Sequence, residues 1–159
     1  MDLVFRIAEQ ADAAALNRAL QRLSDDLGDR HRARPADLER AGWGAAPAFR
    51  AVLAERAGEI VGVALYSPLF STTRGGAGLY VSDLWTAPQL RGQRIASRLL
   101  GAALADGRHL WGAGFVKLSV YDTSTRARRF YDHLGFVSAG GQSELILDEA
   151  GCAALKGEE

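Results

Sequence analysis

The sequence is poor in cysteine and has no excess of charge of either sign. Cys152 is the only cysteine among 159 residues, so no disulfide can form within the chain. Nineteen basic residues balance 19 acidic ones, which argues against a nucleic-acid module or a binder of anionic membranes. No apolar run approaches the length of a membrane span. These absences predict a soluble, cytoplasmic protein with no nucleic-acid or membrane partner.

Two further absences narrow the class of protein, since they argue against a metalloprotein and against a secreted one. The three histidines and the single cysteine are too dispersed for metal-ligand spacing, which predicts that no metal is bound. The opening MDLVFRIAEQ lacks a basic region followed by a long apolar run, so no signal peptide is expected. What is present is 48% apolar residues, enough to bury a core without disulfides. The length predicts a single domain over residues 1–159.

The hydrophobic pattern predicts an alternation of strands and helices. The expected elements are a strand at 3–8, helices at 11–23 and 35–42, a hairpin within 48–70, a strand at 79–87, a helix at 92–107, a strand at 114–121, a helix within 123–136 and a last strand at 143–147. Gly135 is expected to end the late helix. The pattern therefore predicts a mixed α/β fold built on a single sheet.

The stretch QLRGQRIASRLL, residues 89–100, joins the strand at 79–87 to the next helix. A helix N-terminus presents unpaired N–H groups and a partial positive charge, so it favours a phosphate. Gly92 would let the backbone approach a ligand closely. The spacing of the three arginines would place them on one helix face: Arg91, Arg94 and Arg98. The arrangement suits a pyrophosphate, or else it is the solvated basic face of an ordinary helix.

A second stretch, TSTRARRFYDHLGF at 123–136, favours the phosphate interpretation, because the two stretches together resemble the GCN5-related N-acetyltransferase superfamily. That superfamily's phosphate motif, R/Q-x-x-G-x-G/A, corresponds to residues 91–96, with Arg94 in place of the central glycine. Its late-helix motif, N-x-x-A-x-x-x-Y followed by G-F, corresponds to Ser124, Ala127, Tyr131 and Gly135-Phe136. The order of strands and helices fits the same superfamily over nearly the whole chain.

The resemblance implies a GNAT-like fold, in which one mixed, mostly antiparallel sheet is flanked by helices and its central strands splay apart. It also implies acetyl-CoA as co-substrate and no metal. The implied coenzyme-binding residues are Leu84, Trp85 and Thr86 through their backbone, then Arg91, Gly92, Gln93, Arg94, Ile95, Ala96 and Ser97, and in the late helix Ser124 and Ala127. Arg94 is expected to have the backbone angles of a helical first turn, where no glycine is needed.

Residues 38–55, 60–86 and 144–157 look like the diamine branch of the superfamily, which includes polyamine and thialysine acetylating enzymes. That branch carries a Glu-Asp pair in the third central strand, where this chain has Ser82-Asp83. The resemblance therefore implies an amine site lined by Tyr80, Ser82 and Asp83. It also implies a homodimer, because dimers are common in that branch and the C-terminal segment often joins their contacts.

The implied reaction moves an acetyl group from acetyl-CoA to a primary amine. An alkyl amine has a pKa of about 10.4, so only about one molecule in two thousand is nucleophilic at neutral pH. Asp83 is the implied catalytic group that attracts the cationic amine and passes on a proton, unless it pairs with an arginine and only holds the strand. Tyr131 is the implied acid for the leaving thiolate, unless it is a core tyrosine beside Phe130. Backbone N–H groups at 84–86 are implied to hold the oxyanion.

The sequence leaves the acceptor open. A small primary amine, a protein or peptide amine, and no acceptor at all remain alternatives, the last being a non-catalytic acyl-CoA sensor on the same fold. The arginine at position 94 keeps the sensor in consideration, since it crowds the approach to the coenzyme. Tyr131 argues against the sensor, because a protein that only binds the coenzyme needs no acid for a leaving group.

Overall fold

The computed structural model describes residues 2–157 and shows a five-stranded sheet with helices packed against it. The elements in chain order are β1 (Leu3–Ile7), α1 (Ala13–Leu27), α2 (Pro35–Trp43), β2 (Arg50–Arg56), β3 (Glu59–Ser71), β4 (Gly76–Thr86), α3 (Ile95–Trp111), β5 (Val116–Leu118), α4 (Thr125–Leu134) and α5 (Glu149–Lys156). The strands lie in the order β1-β2-β3-β4-β5; the first four pair antiparallel, and β5 joins β4 in parallel. The predicted mixed, mostly antiparallel sheet is confirmed.

The chain divides into two compact units. The larger unit runs to Ser119 and contains the sheet with α1, α2 and α3, whereas the smaller begins at Val120 and contains α4 and α5. That the whole chain is one functional domain stays a prediction. No helix within residues 2–157 combines the length and the apolar character needed to cross a membrane.

The helices α1 and α3 cover opposite faces of the sheet in the larger unit. Trp85 of β4 points towards α1, where its indole N–H donates to Asp26 at 3.3 Å. Gly62 of β3 faces the other way, because a Cβ added there would lie 3.0 Å from Leu99 and 3.1 Å from Ile95 of α3. The core between these layers includes fully buried side chains from the sheet and both helices: Leu16, Leu53, Val63, Leu79, Ile95 and Leu99.

A polar cluster fixes α3 against the sheet. Arg50 of β2 donates two hydrogen bonds to Asp106 of α3, at 2.6 and 3.0 Å, and the hydroxyl of fully buried Tyr66 of β3 donates a third at 2.6 Å. Partial burial disfavours the Asp106 carboxylate, but these donors prevail and hold its pKa below the usual value. The cluster thus ties α3 to β2 and β3.

Strand β4 is irregular at the point where the sheet splays. Leu65 of β3 pairs with Asp83, but its neighbour Tyr66 pairs with Val81, so Ser82 is an extra residue that forms a β-bulge. On the other side of β4, pairing with β5 covers residues 79–81 alone. Within the described residues, β4 therefore continues over 82–86 without a β5 partner. This confirms the predicted splay of the central strands.

The expected strand at 143–147 is wrong, since these residues form neither strand nor helix. The sequence SELIL has strand-like composition, but a strand is stable only when it pairs, and no ladder in the described part of the chain includes these residues. Leu145 and Ile146 are instead 89% and 86% exposed. The sequence interpretation also missed α5, which Asp148 caps by accepting a hydrogen bond from the Gly151 N–H at 2.9 Å.

Candidate functional site

The bulge in β4 presents a half-buried carboxylate. In a regular strand Ser82 and Asp83 would point to opposite faces, but at the bulge their side chains meet, and Ser82 Oγ donates to Asp83 Oδ2 at 2.8 Å. Burial raises the pKa of Asp83, while the Ser82 hydrogen bond and the charge of His31 oppose that rise. The sequence left open that Asp83 pairs with an arginine. Among the described residues, the structure shows no arginine at this carboxylate. The carboxylate is thus accessible to a cationic group.

The loop after α1 contributes the histidine whose charge acts on Asp83. His31 contacts two side chains of α1, with its Nδ1 3.0 Å from Ser24 Oγ and its Nε2 2.9 Å from Asn17 Oδ1. These contacts hold the loop against the helix. Sequence reasoning missed this role of His31, because the 52 positions that separate it from Asp83 carry no pattern that joins them.

Two other residues of β4, Tyr80 and Trp85, make side-chain contacts outside the strand. Tyr80 is half-buried, and its hydroxyl lies 3.4 Å from Ser119 Oγ of the same unit. The side chain of Trp85 is buried, donates to Asp26 of α1 and packs beneath the guanidinium of Arg22, whose Cζ is 4.7 Å from the ring centroid. The family resemblance implied a role for the backbone of Trp85 alone, and the structure adds that its side chain ties the end of β4 to α1.

The turn before α3 is left-handed at two positions. Gly92 has φ 85° and Arg94 has φ 57° with ψ 22°, and α3 begins only at Ile95. The expectation that Arg94 has helical angles is therefore wrong, as is the expected helix start at 92. A left-handed residue other than glycine brings its Cβ close to the following carbonyl, which costs about 1–2 kcal/mol. Arg94 thus carries the strain that the family's glycine would avoid.

The three arginines of this region do not share one helix face. Arg91 and Arg94 precede α3 and are exposed in the turn, whereas Arg98 lies in the helix, with its Cζ 4.2 Å from the ring centroid of Phe5 in β1. The expected common face is wrong because it assumed that all three were helical. Arg91 and Arg94 remain beside the helix N-terminus, and Arg98 packs on the sheet.

The N-terminus of α3 offers backbone donors. The Arg98 N–H is the first to bond within the helix, to the Arg94 carbonyl at 3.1 Å, so the N–H groups of residues 95–97 precede the intrahelical series. The hydroxyl of Ser97 donates to the same carbonyl at 3.0 Å, which leaves its side chain directed at the helix turn. Gln93 is exposed, Ile95 is buried beneath the turn and Ala96 is half-buried. These features suit a phosphate group approaching along the helix axis.

The end of β4 combines a free backbone edge with an unpaired hydroxyl. Leu84, Trp85 and Thr86 lie beyond the β5 pairing, so their edge on that side is open to an extended ligand. Thr86 Oγ1 is buried and, among the residues that the structure describes, has no hydrogen-bond partner. An unpaired buried hydroxyl costs about 1–3 kcal/mol. The sequence interpretation used only the backbone here, and therefore missed this side chain.

Tyr131, Ser124 and Ala127 lie in the smaller unit, on or next to α4. Tyr131 is half-buried between two aromatic neighbours, with ring centroids 5.3 Å from Phe130 and 5.4 Å from Phe136, and burial raises its pKa. It is therefore protonated at neutral pH and able to donate. Ser124 precedes the helix and its carbonyl accepts from the Arg128 N–H. Gly135 ends α4 with φ 96°, as predicted.

The described residues hold no group of three or more His, Cys, Asp or Glu side chains that could bind a metal ion. The donors that are present fit a different ligand. Backbone N–H groups at the start of α3 and the flanking arginines suit the phosphates of a coenzyme, and the open edge at 84–86 suits an extended arm. The Asp83 carboxylate suits a cationic acceptor. Within the larger unit, this set suits the binding of both reactants of an acyl transfer to an amine.

Comparison with known proteins agrees with this chemistry. The model of the acetyltransferase (GNAT) family matches residues 16–136. A thialysine N-epsilon-acetyltransferase from Bos taurus is 28% identical over 143 residues, which cover 84% of this chain and 83% of the bovine protein.

Solved structures show the same fold. A ribosomal-protein-alanine N-acetyltransferase from Brucella melitensis biovar Abortus 2308 superimposes with a TM-score of 0.74 at 20% identity, covering 91% of this chain and 99% of that one. An aminoglycoside N-acetyltransferase in complex with CoA also gives a TM-score of 0.74, at 16% identity, covering 93% of this chain and 94% of that one. At these identities the likeness concerns the fold and leaves the acceptor to be argued from the site.

Proposed function

Since the chain belongs to the acetyltransferase (GNAT) family, near its diamine branch, we propose that it transfers an acetyl group from acetyl-CoA to a primary amine of a small molecule. Family membership makes it an acetyl-CoA-dependent N-acetyltransferase. The proposed acceptor is a polyamine, thialysine or an amino-acid-like amine, which attacks the thioester directly in a ternary complex. The observation that carries the choice of acceptor is the half-buried Asp83 carboxylate at the β4 bulge, which no arginine within residues 2–157 neutralises.

Asp83 has two proposed tasks on the acceptor side. As a carboxylate it attracts the ammonium form of the amine, and its raised pKa makes it a better proton acceptor than an ordinary aspartate. The Ser82 hydroxyl orients the carboxylate through their 2.8 Å hydrogen bond. Tyr80, on the same strand, is proposed to line the amine pocket. This arrangement supports loss of a proton from the amine before it attacks.

The coenzyme is proposed to bind at the end of β4 and at the N-terminus of α3. The open edge at 84–86 supports pairing with the amides of the coenzyme arm, and an N–H there is proposed to stabilise the oxyanion. Phosphate groups are proposed to bind in the turn of Arg91, Gly92, Gln93 and Arg94 and at the first turn of α3, Ile95, Ala96 and Ser97. Ser124 and Ala127 are proposed to contact the coenzyme from α4, by resemblance to the family's late helix.

Tyr131 is proposed to protonate the departing thiolate. Burial raises the pKa of Tyr131, so at neutral pH the phenol is protonated and can donate to the sulfur as the carbon–sulfur bond breaks. A general acid of this kind contributes about 10²–10⁴-fold to the rate. The role can be tested by removing a single oxygen atom, because Tyr131→Phe keeps the ring and its packing against Phe130 and Phe136.

The test is thiol release from acetyl-CoA with a panel of polyamines, thialysine, lysine, single amino acids, aminoglycosides and peptides. Tyr131→Phe should lower turnover about a hundredfold or more with the preferred amine while coenzyme binding stays nearly intact. Tyr121→Phe, also in the smaller unit, is the matched control and should leave turnover near that of the wild type. Equal turnover in Tyr131→Phe and the wild type would remove Tyr131 from the mechanism.

Silence across the panel, with coenzyme binding confirmed, would favour a protein or peptide acceptor, or an acyl-CoA sensor. We also propose a homodimer, from the resemblance to the diamine branch. The cytoplasmic location and the absence of nucleic-acid and membrane partners stay predictions.

A further inference from the structure

Arg22 of α1 presents an exposed guanidinium on the face of the sheet that α1 covers. Its Cζ lies 4.7 Å from the centroid of the Trp85 ring, a cation–π contact that limits where this long side chain can lie. No carboxylate within residues 2–157 forms an ion pair with it. A guanidinium has five N–H donors, so Arg22 can bind a planar anion that arrives from solvent.

Arg22 and Asp83 lie on the same face of the sheet. Pairing of β4 with β3 is regular over 83–86, so the side chains of Asp83 and Trp85, two residues apart, point the same way. The contacts agree, because Trp85 meets Arg22 of α1, and the charge of His31, in the loop after α1, acts on Asp83. Roughly 6–7 Å along the strand separates the two positions of β4. The carboxylate proposed to receive the amine and the guanidinium of Arg22 are thus about one strand repeat apart.

The loop after α1 adds positive charge to this side of the site. Residues 28–34 include three arginines and one aspartate, and Asp37 neutralises one of the arginines, Arg34. Negative charge comes from Asp83 and from Asp26, which accepts the indole N–H of Trp85. The α1 side of the site therefore carries both signs of charge, which suits an acceptor with an ammonium and an anionic group better than it suits a polycation.

We propose that Arg22 binds a carboxylate of the acceptor, and that the acceptor is an amino acid whose reacting amine ends its side chain. The amine lies at Asp83 and the carboxylate at Arg22. An α-amine is attached to the carbon that bears the carboxylate, so it cannot reach one residue while its carboxylate contacts the other, whereas a lysine-like side chain spans both. The inference rests on the proposed function, which places the acceptor at Asp83, and it makes Arg22 a specificity-determining residue.

The experiment compares kcat/KM for two pairs of amines, lysine with cadaverine and ornithine with putrescine, because the members of each pair differ only in the carboxylate. The wild type should favour the amino acid in at least one pair by about tenfold or more, as expected of a charge-assisted hydrogen bond. Arg22→Gln should lower that preference about tenfold, through a higher KM for the amino acid, and should leave the diamine nearly unchanged. Arg22→Lys keeps the charge without the fork and should keep part of the preference.

Arg108→Gln is the matched control, since Arg108 is an exposed arginine of α3, on the opposite face of the sheet, and its loss should leave the preference unchanged. A purely structural role of Arg22 would change both members of a pair alike, so an unaltered preference in Arg22→Gln would overturn the proposal. Acetylation of the α-amine, identified by mass spectrometry of the product, would overturn it as well.

The amine panel separates failure of this inference from failure of the proposed function. If the wild type turns over the diamines as well as the amino acids, or turns over other amines of the panel but neither pair, the role of Arg22 is wrong and acetyl transfer to a small amine stands. If no amine of the panel gives thiol release, the proposed function is wrong, and the role of Arg22 is wrong with it.

Discussion

Asp83 illustrates how a residue proposed for function can weaken the fold that carries it. Its carboxylate is half-buried and its pKa is raised, so the ionised form is less favourable in the folded chain than in the unfolded one. A carboxylate that served only the structure would be expected to have strong donors, as Asp106 has in Arg50 and Tyr66. In the described part of the chain, the hydrogen-bond donor to the Asp83 carboxylate is the hydroxyl of Ser82.

Asp83→Asn should therefore reduce acetyl transfer and stabilise the protein. Turnover is expected to fall about a hundredfold, because the amide neither attracts the amine's charge nor accepts its proton. The melting temperature at neutral pH should rise, because the neutral amide removes the cost of a buried charge. Both effects are measured on the same preparation, by thiol release and by thermal unfolding.

The pH dependence gives the control for this prediction. Because the pKa of Asp83 is higher in the folded chain than in the unfolded one, its ionisation costs folding free energy in full above the raised pKa. The advantage of Asp83→Asn should thus be present at neutral pH, shrink as the pH falls below the raised pKa, and vanish below the ordinary pKa of an aspartate. Asp122→Asn, at an exposed position, should show no comparable difference. A loss of stability in Asp83→Asn at neutral pH would mean that the carboxylate holds the strand.

At the scale of elements, the start of α3 depends on one strained residue. Arg94 precedes the helix with φ 57°, in a conformation that favours glycine. Arg94→Gly and Arg94→Ala remove the same guanidinium but differ in backbone preference. The glycine variant should be more stable than the alanine variant by about 0.5–1 kcal/mol. Alanine pays the cost of the left-handed conformation, and glycine offsets part of that difference because it loses more conformational entropy on folding. Thermal unfolding of the two variants measures this difference.

The same pair of variants separates side chain from backbone in coenzyme binding. If the Arg94 guanidinium contacts a phosphate, both variants should lose affinity for acetyl-CoA to a similar extent, and the loss should shrink at high salt. If the glycine variant instead binds more tightly than the wild type, the arginine hinders the approach of the coenzyme. Equal stability of the two variants would contradict the left-handed conformation.

The elements show where sequence patterns suffice and where they do not. Helical spacing predicted α1, and a Gly-containing turn predicted the β2–β3 hairpin, because both signals are local. The pattern failed at Arg94, since an arginine carries no sign that its φ is positive, and at 143–147, since strand-like composition does not supply a pairing partner. Motifs located Asp83, Tyr131 and the α3 turn, whereas the Ser82 bulge and the unpaired Thr86 hydroxyl depend on register and packing.

At the scale of the whole molecule, the two units differ in how much apolar surface they bury. The larger unit contains the fully buried core, whereas exposed apolar side chains are frequent in the smaller one: Val137, Leu145, Ile146, Leu147 and Leu155. Exposed apolar residues grouped in one segment are typical of an interaction surface. The segment 143–147 also has the composition of a strand, so its unpaired backbone could pair on contact with another chain.

These features, with the resemblance to the diamine branch, predict a homodimer that uses the segment 143–147. Sedimentation at micromolar concentration should show a dimer for the wild type. Leu145→Asp should shift it towards monomer, because the introduced charge would be buried in the interface. Phe70→Asp, at a position 70% exposed in the larger unit, is the control and should remain dimeric. A wild-type monomer would end the proposal of a dimer, and a dimer that Leu145→Asp leaves intact would place its interface elsewhere on the chain.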